Sequence, residues 1–153
     1  MGELKTSGFE LDFKYLPIPN WTFLGSFSHQ KNENGEGLEN WTLAPRNFFK
    51  LGISYSNRVF SLGIFDNSYG GFRDNVVRFP GRLALNPDSE SYDWLTAKLS
   101  YTFRWNRGDL SLWLYVENIL EETIYTPEMS VSNINTTPED PGTQYYLGAK
   151  LQL

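Results

Sequence analysis

The residues with the clearest binding chemistry are arginines and aromatics gathered in one polar stretch, "DNSYGGFRDNVVRFPGRLALNPDSES" (66–91). Guanidinium groups bind anions through charge-assisted hydrogen bonds, and cations and aromatic rings also attract each other. The stretch therefore predicts the capture of an anionic ligand. The alternative is an ordinary solvated loop in which the arginines pair with Asp74 or Asp88. The candidate binding residues are Tyr69, Phe72, Arg73, Arg78 and Arg82.

Residues that could support other chemistry are scarce. The chain has no cysteine and one histidine, His29, so it lacks a thiolate nucleophile, a disulfide framework and a multi-histidine metal site. His29 lies in "GSFSHQK", where we expect a polar strand end. Glu121 and Glu122 are adjacent and would point to opposite sides of an extended chain, which places them poorly as an acid–base pair. No catalytic residue, metal or cofactor is predicted, and the formal charge of -5 argues against a nucleic-acid partner.

Seven segments alternate between apolar and polar residues with the period of two that is typical of strands. They are "GFELDFKY" (8–15), "WTFLGSFSH" (21–29), "FFKLGISY" (48–55), "VFSLGIF" (59–65), "DWLTAKLSYTFRW" (93–105), "LSLWLYVE" (110–117) and "YYLGAKLQL" (145–153). No segment keeps a helical period. The predicted fold class is all-β, with about seven antiparallel strands in a meander.

The connections between these segments alternate between short and long. The short ones are "LPIPN" (16–20), "SNR" (56–58) and "NRGD" (106–109), and the long ones cover about 30–46, 66–91 and 119–144. Long connections without structure are uncommon in compact soluble domains. A transmembrane β-barrel explains them, because its strands cross the lipid, short turns join them on the periplasmic side and long loops project outside.

Each predicted strand has one continuous apolar face and one face with charged, hydroxyl or glycine residues. In a membrane barrel the apolar face contacts lipid, aromatic residues lie at both interfaces, and the polar face lines a wet lumen. The alternation within 110–117 places its leucines toward lipid. The residues predicted to face the lumen are Glu10, Asp12, Lys14, Lys98, Arg104, Trp113, Tyr115, Glu117 and Lys150.

Four segments, in this order, resemble the C-terminal part of the β-barrel of TonB-dependent outer-membrane receptors. "SGFELDFKYLPIPNWTFLGSFSH" (7–29) is similar to a strand, periplasmic turn and returning strand of that family. "LAPRNFFKLGISY" (43–55) resembles its proline before a descending strand, and "YVENILEETIYTP" (115–127) its Asn-Leu strand end with a following tyrosine. "PGTQYYLGAKLQL" (141–153) resembles its terminal Pro-Gly and last strand. The sequence departs from the family pattern at Ile124, Thr143 and Leu153.

The resemblance implies a bacterial outer-membrane barrel of about 22 strands that is closed by an N-terminal plug domain. Residues 1–153 would supply the last seven strands, so we expect a fragment that lacks the plug and the upstream strands and cannot transport alone. The implied cargo is a ferric siderophore, with cobalamin or an oligosaccharide as alternatives, and Tyr125 joins the candidate binding residues. The implied partners are the rest of the barrel and its plug, the TonB complex through that plug, and outer-membrane lipid with lipopolysaccharide.

Two further classes of protein fit parts of the pattern. A soluble β-sandwich that binds carbohydrate or protein through its aromatics would also alternate, and it would fold in water without detergent. A barrel-embedded hydrolase would have to be built around His29.

Overall fold

The computed structural model describes residues 4–35, 37, 39, 44–72, 85–128, 134–139 and 141–153. No helix in these ranges is long and apolar enough to cross a membrane. The strands are β1 (Leu4–Tyr15), β2 (Trp21–Asn34), β3 (Asn47–Ser56), β4 (Phe60–Tyr69), β5 (Tyr92–Trp105), β6 (Gly108–Glu117), β7 (Ile124–Pro127), β8 (Thr136–Glu139) and β9 (Gln144–Gln152).

Seven of these strands form one sheet in the order β1-β2-β3-β4-β5-β6-β9. Every neighbouring pair is antiparallel. The predicted all-β meander is therefore confirmed. The sheet is open, with β1 and β9 as its edges.

The connections follow the predicted alternation. Residues 16–20, 57–59 and 106–107 form short connections at one end of the sheet, and residues 35–46, 70–91 and 118–143 form long ones at the other. An antiparallel meander returns to the same end after every second strand, so the two kinds of connection are fully separated. We call these ends the turn end and the loop end.

Three features of the long connections differ from the sequence prediction. The strand predicted at 21–29 continues to Asn34, because residues 30–34 pair with the first residues of β1. The strand predicted at 59–65 continues to Tyr69, because Leu51 pairs with Asp66 and Phe48 with Tyr69. Pairing with two neighbouring strands outweighs the low strand propensity of Asp66 and Asn67. The last long connection also contains the antiparallel pair β7–β8, whose four-residue strands are too short to show a period.

The register brings all the apolar strand faces to one side of the sheet. Residues directly opposite each other on antiparallel strands project from the same face. One row of such partners crosses all seven strands and is apolar or aromatic throughout: Tyr15, Phe23, Ile53, Ile64, Ala97, Val116 and Tyr145. A row of the opposite face runs through Thr22, Ser54, Gly63, Lys98, Tyr115 and Tyr146. We call these surfaces the apolar face and the polar face.

The apolar face has no cover within the described residues. Leu147 is 81% exposed, Leu11 63% and Phe9 60%, whereas Ile124 is the only buried side chain among the described aliphatic and aromatic residues. A β-sandwich would bury this face against a second sheet. The only other sheet in the described ranges is the two-stranded β7–β8 pair, so the sandwich alternative is not supported.

Glycines in the strands lie beneath aromatic rings of the neighbouring strands. Gly148 is opposite Trp113, and a Cβ on Gly148 would lie 2.1 Å from the indole ring. Gly52 is opposite Phe65, where a Cβ would lie 2.5 Å from the phenyl ring. The rings therefore cover backbone that would otherwise lack side-chain packing, a stabilising pair known from designed sheets.

We expect Gly148→Ala to push the Trp113 ring out of place and to lower the free energy of unfolding by about 1–3 kcal/mol, the usual cost of overpacking. Urea unfolding of the chain in detergent micelles, followed by circular dichroism, measures the change. Ala149→Val is the matched control, since residue 149 projects from the other face of the same strand. Equal losses in the two variants would contradict the proposed ring contact.

Candidate functional site

Three aromatic rings form a ladder on the polar face at the loop end. Phe48 of β3 lies 4.5 Å from Tyr69 of β4, and Tyr69 stacks on Tyr92 of β5 at 4.7 Å with 17° between the ring planes. The Lys50 ammonium lies 4.7 Å from the centre of the Phe48 ring. We call these four residues the rim cluster. It offers flat aromatic surface and a positive charge to a ligand on the polar face.

The chain folds this way because the rings are direct cross-strand partners. Phe48 is opposite Tyr69, and Tyr69 is opposite Tyr92. Aromatic residues at such positions stabilise adjacent strands through contact of their side chains. Phe48 and Tyr92 were missed as site residues, although they lie on the same side of their strands as Lys50 and Trp94.

A cavity of about 210 Å³ continues from the rim cluster toward β7. Tyr92 and Tyr125 contribute to its wall together with Pro87, Glu122 and Ile124. Tyr125 and Tyr92 therefore line the same cavity, although the chain separates them by the whole of β5, β6 and the start of the last loop.

The two loops beside this cavity are joined by hydrogen bonds that involve two buried residues of the last loop. The Asn86 backbone N–H donates to Asn135 Oδ1 (3.1 Å), and Asn135 Nδ2 donates to the Asn86 carbonyl (2.8 Å). Asn86 Nδ2 donates to the Thr136 carbonyl (2.6 Å), and Thr136 Oγ1 donates to the Pro87 carbonyl (2.7 Å). Asn135 and Thr136 are 0% exposed. We call this contact the loop clamp, and no pattern in the sequence predicts it.

Asn118 organises the start of the last long loop. It has a positive φ of 49° and is completely buried. Its Oδ1 accepts from the Glu122 N–H (2.9 Å), its Nδ2 donates to the Glu122 carbonyl (3.0 Å), and its own carbonyl accepts from Thr143 Oγ1 (3.0 Å). This turn also corrects the extended geometry assumed for Glu121 and Glu122, because Glu121 has a φ of 56°.

The predicted ligand-binding residues fall into three groups. Tyr69 belongs to the rim cluster, and Tyr125 lines the cavity beside it. Phe72 follows β4, where its backbone N–H donates to the Ser89 carbonyl (3.1 Å). Arg73, Arg78 and Arg82 lie outside the described residues.

The described part of the two long loops beside the cavity is acidic. Between residues 85 and 91 and between 118 and 143, the described charged residues are all carboxylates. They are Asp88, Glu90, Glu121, Glu122, Glu128 and Glu139. Capture of an anionic ligand at this place therefore depends on Lys50 and on the arginines outside the described ranges.

The residues predicted to face a lumen all project from the polar face. Glu10, Asp12 and Lys14 alternate along β1 with the apolar residues. The other six lie on the polar side of β5, β6 and β9, and they are Lys98, Arg104, Trp113, Tyr115, Glu117 and Lys150. Lys98 lies 5.7 Å from the Trp113 ring centre. That this face lines a lumen stays a prediction.

His29 is held at the loop end of the apolar face. Its Nδ1 lies 2.7 Å from Asn47 Oδ1, and its ring centre is 5.8 Å from that of Phe9. The predicted strand end at His29 is wrong, because β2 continues to Asn34 through its pairing with β1. Neither neighbour of the His29 ring supplies the nucleophile of a catalytic triad.

We expect Asn135→Ala to loosen the loop clamp, because it removes two hydrogen bonds and leaves the Asn86 backbone groups without partners, at a cost of about 1–3 kcal/mol. Amide hydrogen exchange at residues 85–91 and 134–139 should then accelerate by roughly tenfold or more. Thr126→Ala is the control, since its hydroxyl bonds Glu139 at an exposed site (3.2 Å). Unchanged exchange in Asn135→Ala would show that the clamp does not order the loops.

No protein-family model matches the sequence, and no curated protein matches it. Solved structures with the same fold do exist. FpvA of P. aeruginosa, bound to heterologous pyoverdines, matches with a TM-score of 0.72 and 17% identity over 97% of this chain and 20% of its own. The ferric-catecholate import receptor Fiu of E. coli K12 matches with a TM-score of 0.69 and 21% identity over 99% and 21%.

A third match is the ferripyoverdine receptor of the outer membrane of Pseudomonas aeruginosa, bound to ferripyoverdine, with a TM-score of 0.71 and 17% identity over 97% and 20%. The chain thus spans about a fifth of the length of the receptors that it matches. At these identities the likeness establishes the fold alone. The chain has the architecture of a section of the β-barrel of siderophore receptors, and the resemblance seen in its sequence is confirmed at the level of the fold.

Proposed function

We propose that the chain forms part of the barrel wall and the extracellular rim of a TonB-dependent outer-membrane receptor that takes up a ferric siderophore. The row of apolar partners across all seven strands carries the proposal, because it presents one continuous apolar surface that the described chain does not cover. Lipid is the environment that such a surface requires when the opposite face is polar.

The proposal fixes the direction of the sheet in the membrane. The turn end faces the periplasm, and the loop end faces the exterior, where lipopolysaccharide surrounds the barrel. The polar face looks into the lumen, where charges of both signs, such as Asp12, Lys14 and Lys98, are available to a plug domain. Residues 1–153 are one section of that barrel, and the plug would connect it to the TonB complex.

The rim cluster supports a siderophore as the cargo. Solved relatives of this fold are described as a ferripyoverdine receptor and a ferric-catecholate import receptor. Stacked Tyr69 and Tyr92 offer a surface for flat ligand groups, and Lys50 offers a positive charge. We propose that Phe72, Arg73, Arg78, Arg82 and Tyr125 complete the site from the loops. The chain acts as a transporter component without enzymatic activity or a cofactor.

The membrane assignment predicts that a charge costs much more on one face of a strand than on the other. Leu51→Arg places a guanidinium on the apolar face and should lower the free energy of unfolding in lipid vesicles by roughly 2–4 kcal/mol. Ser54→Arg, on the polar face, should change it by less than about 1 kcal/mol. Urea unfolding in vesicles, with extraction tests, measures both. A chain that folds as a monomer in water without detergent would refute the proposal.

The cargo assignment predicts that Tyr92→Leu weakens the binding of a ferric siderophore to the assembled receptor by about three- to tenfold, because a ring stack contributes roughly 0.5–1.5 kcal/mol. Tyr92→Phe keeps the ring and should bind nearly as the parent does. Fluorescence quenching with a ferric catecholate and with a ferric peptide-hydroxamate measures both. Parent-like affinity of Tyr92→Leu for every siderophore that the parent binds would exclude the rim cluster from the site.

A further inference from the structure

Basic side chains collect at the turn end of the sheet, opposite the acidic loops. Arg58 lies in the β3–β4 turn, Arg107 in the β5–β6 turn, and Arg104 near the end of β5. The Asp109 carboxylate is 3.8 Å from Arg104 Nε. The ion pairs among the described residues include neither Arg58 nor Arg107, and both are exposed. Two guanidinium groups are therefore available at this end.

The turn that carries Arg58 is held by side-chain hydrogen bonds. Asn57 Oδ1 accepts from the N–H groups of Val59 (2.9 Å) and Phe60 (2.8 Å), which is the pattern of an asparagine-stabilised turn. The Arg58 carbonyl accepts a bond from Arg104 Nη2 (2.9 Å). The backbone under Arg58 is therefore fixed, and its exposed side chain starts from a defined position at the turn end.

Arg107 is presented by a second tight turn. Gly108 follows it with a φ of 157°, and a Cβ at this residue would lie 2.2 Å from the Gln152 carbonyl oxygen. Only glycine lets β6 pass this close to β9, so the turn leaves little freedom to the Arg107 backbone. The two turns are two strand spacings apart, which is about 10 Å across the sheet.

The arginines adjoin the end of the apolar face. Tyr101, Phe103 and Trp105 of β5 project from that face and are 44%, 49% and 44% exposed. The Thr102 N–H donates to the Val59 carbonyl (2.8 Å), which places the Arg58 turn directly beside this aromatic row. Aromatic rings prefer the depth of lipid headgroups, so a cation beside them lies at the level of the phosphates.

We infer that Arg58 and Arg107 form a binding lip for the phosphate groups of anionic phospholipids in the periplasmic leaflet. Guanidinium groups bind phosphate through paired hydrogen bonds, and a spacing of about 10 Å suits the headgroups of neighbouring lipids. The lip continues the lipid-facing surface onto the turns, which favours lipid over an acidic protein as the occupant. This inference rests on the proposed membrane orientation.

Native mass spectrometry of the full 153-residue chain in detergent micelles tests the lip. The probes are phosphatidylglycerol, which is anionic, and phosphatidylcholine, which has no net charge. We expect the chain to retain phosphatidylglycerol preferentially, and its affinity to fall by about fivefold for each arginine that is removed in Arg58→Gln and Arg107→Gln. Higher salt should weaken the retention, because the attraction is between charges near the surface.

The control variant, Lys5→Gln with Lys31→Gln, removes two cations at the opposite end of the sheet and should retain phosphatidylglycerol as the parent does. Equal retention of both lipids, or equal losses in the arginine and lysine variants, would overturn the lip. The lip would also be overturned if the arginine variants retained phosphatidylglycerol as the parent does and the parent chain captured an acidic peptide. That result would indicate a protein partner. These outcomes leave the membrane assignment intact, since its own failure would appear as a β-rich chain that stays dissolved without detergent.

Discussion

The apolar face of the seven-stranded sheet must be covered by something outside the described chain, and the remaining features follow from this requirement. Seven antiparallel strands in one layer cannot bury their own apolar side chains unless a second layer packs on them. The register strengthens the constraint, because it aligns these side chains into rows such as Ile53, Ile64 and Ala97. Under the proposed function lipid covers this face, so each strand would keep its alternation without an interior core.

Order at the loop end has a different physical origin. Among the described residues of this end, the fully buried side chains are Asn118, Asn135 and Thr136, all polar and all hydrogen-bonded. Directional bonds of this kind fix one arrangement of two loops where apolar packing would allow several, and they are costly when incomplete. The sheet thus supplies the frame through backbone pairing, while the loops beside the rim cluster depend on specific polar contacts.

Sequence patterns predicted the sheet well and the site only in part. Period-two alternation is a property of each strand, so it identified the strands and the face of residues such as Lys98 and Trp113. The loop clamp escaped prediction because Asn86 and Asn135 are far apart in the chain, and an asparagine in a polar loop has no pattern that names its partner. Tyr69 was predicted as a binding residue because it is an aromatic residue in a polar stretch. Its stacking on Tyr92 was not predicted, because it depends on the extension of β4 to Tyr69, and Asp66 and Asn67 have low strand propensity.

The open sheet has a topological consequence for its surroundings. Strand direction alternates at each step, so with seven strands β1 and β9 run the same way and cannot pair with each other as antiparallel neighbours. A cylinder made only of antiparallel pairs needs an even total. Any polypeptide that closes this sheet into such a cylinder must therefore contribute an odd number of strands, and a second copy of the sheet could do so only if it ran inverted relative to the first, since in the same orientation its edge strands would lie parallel to β1 and β9.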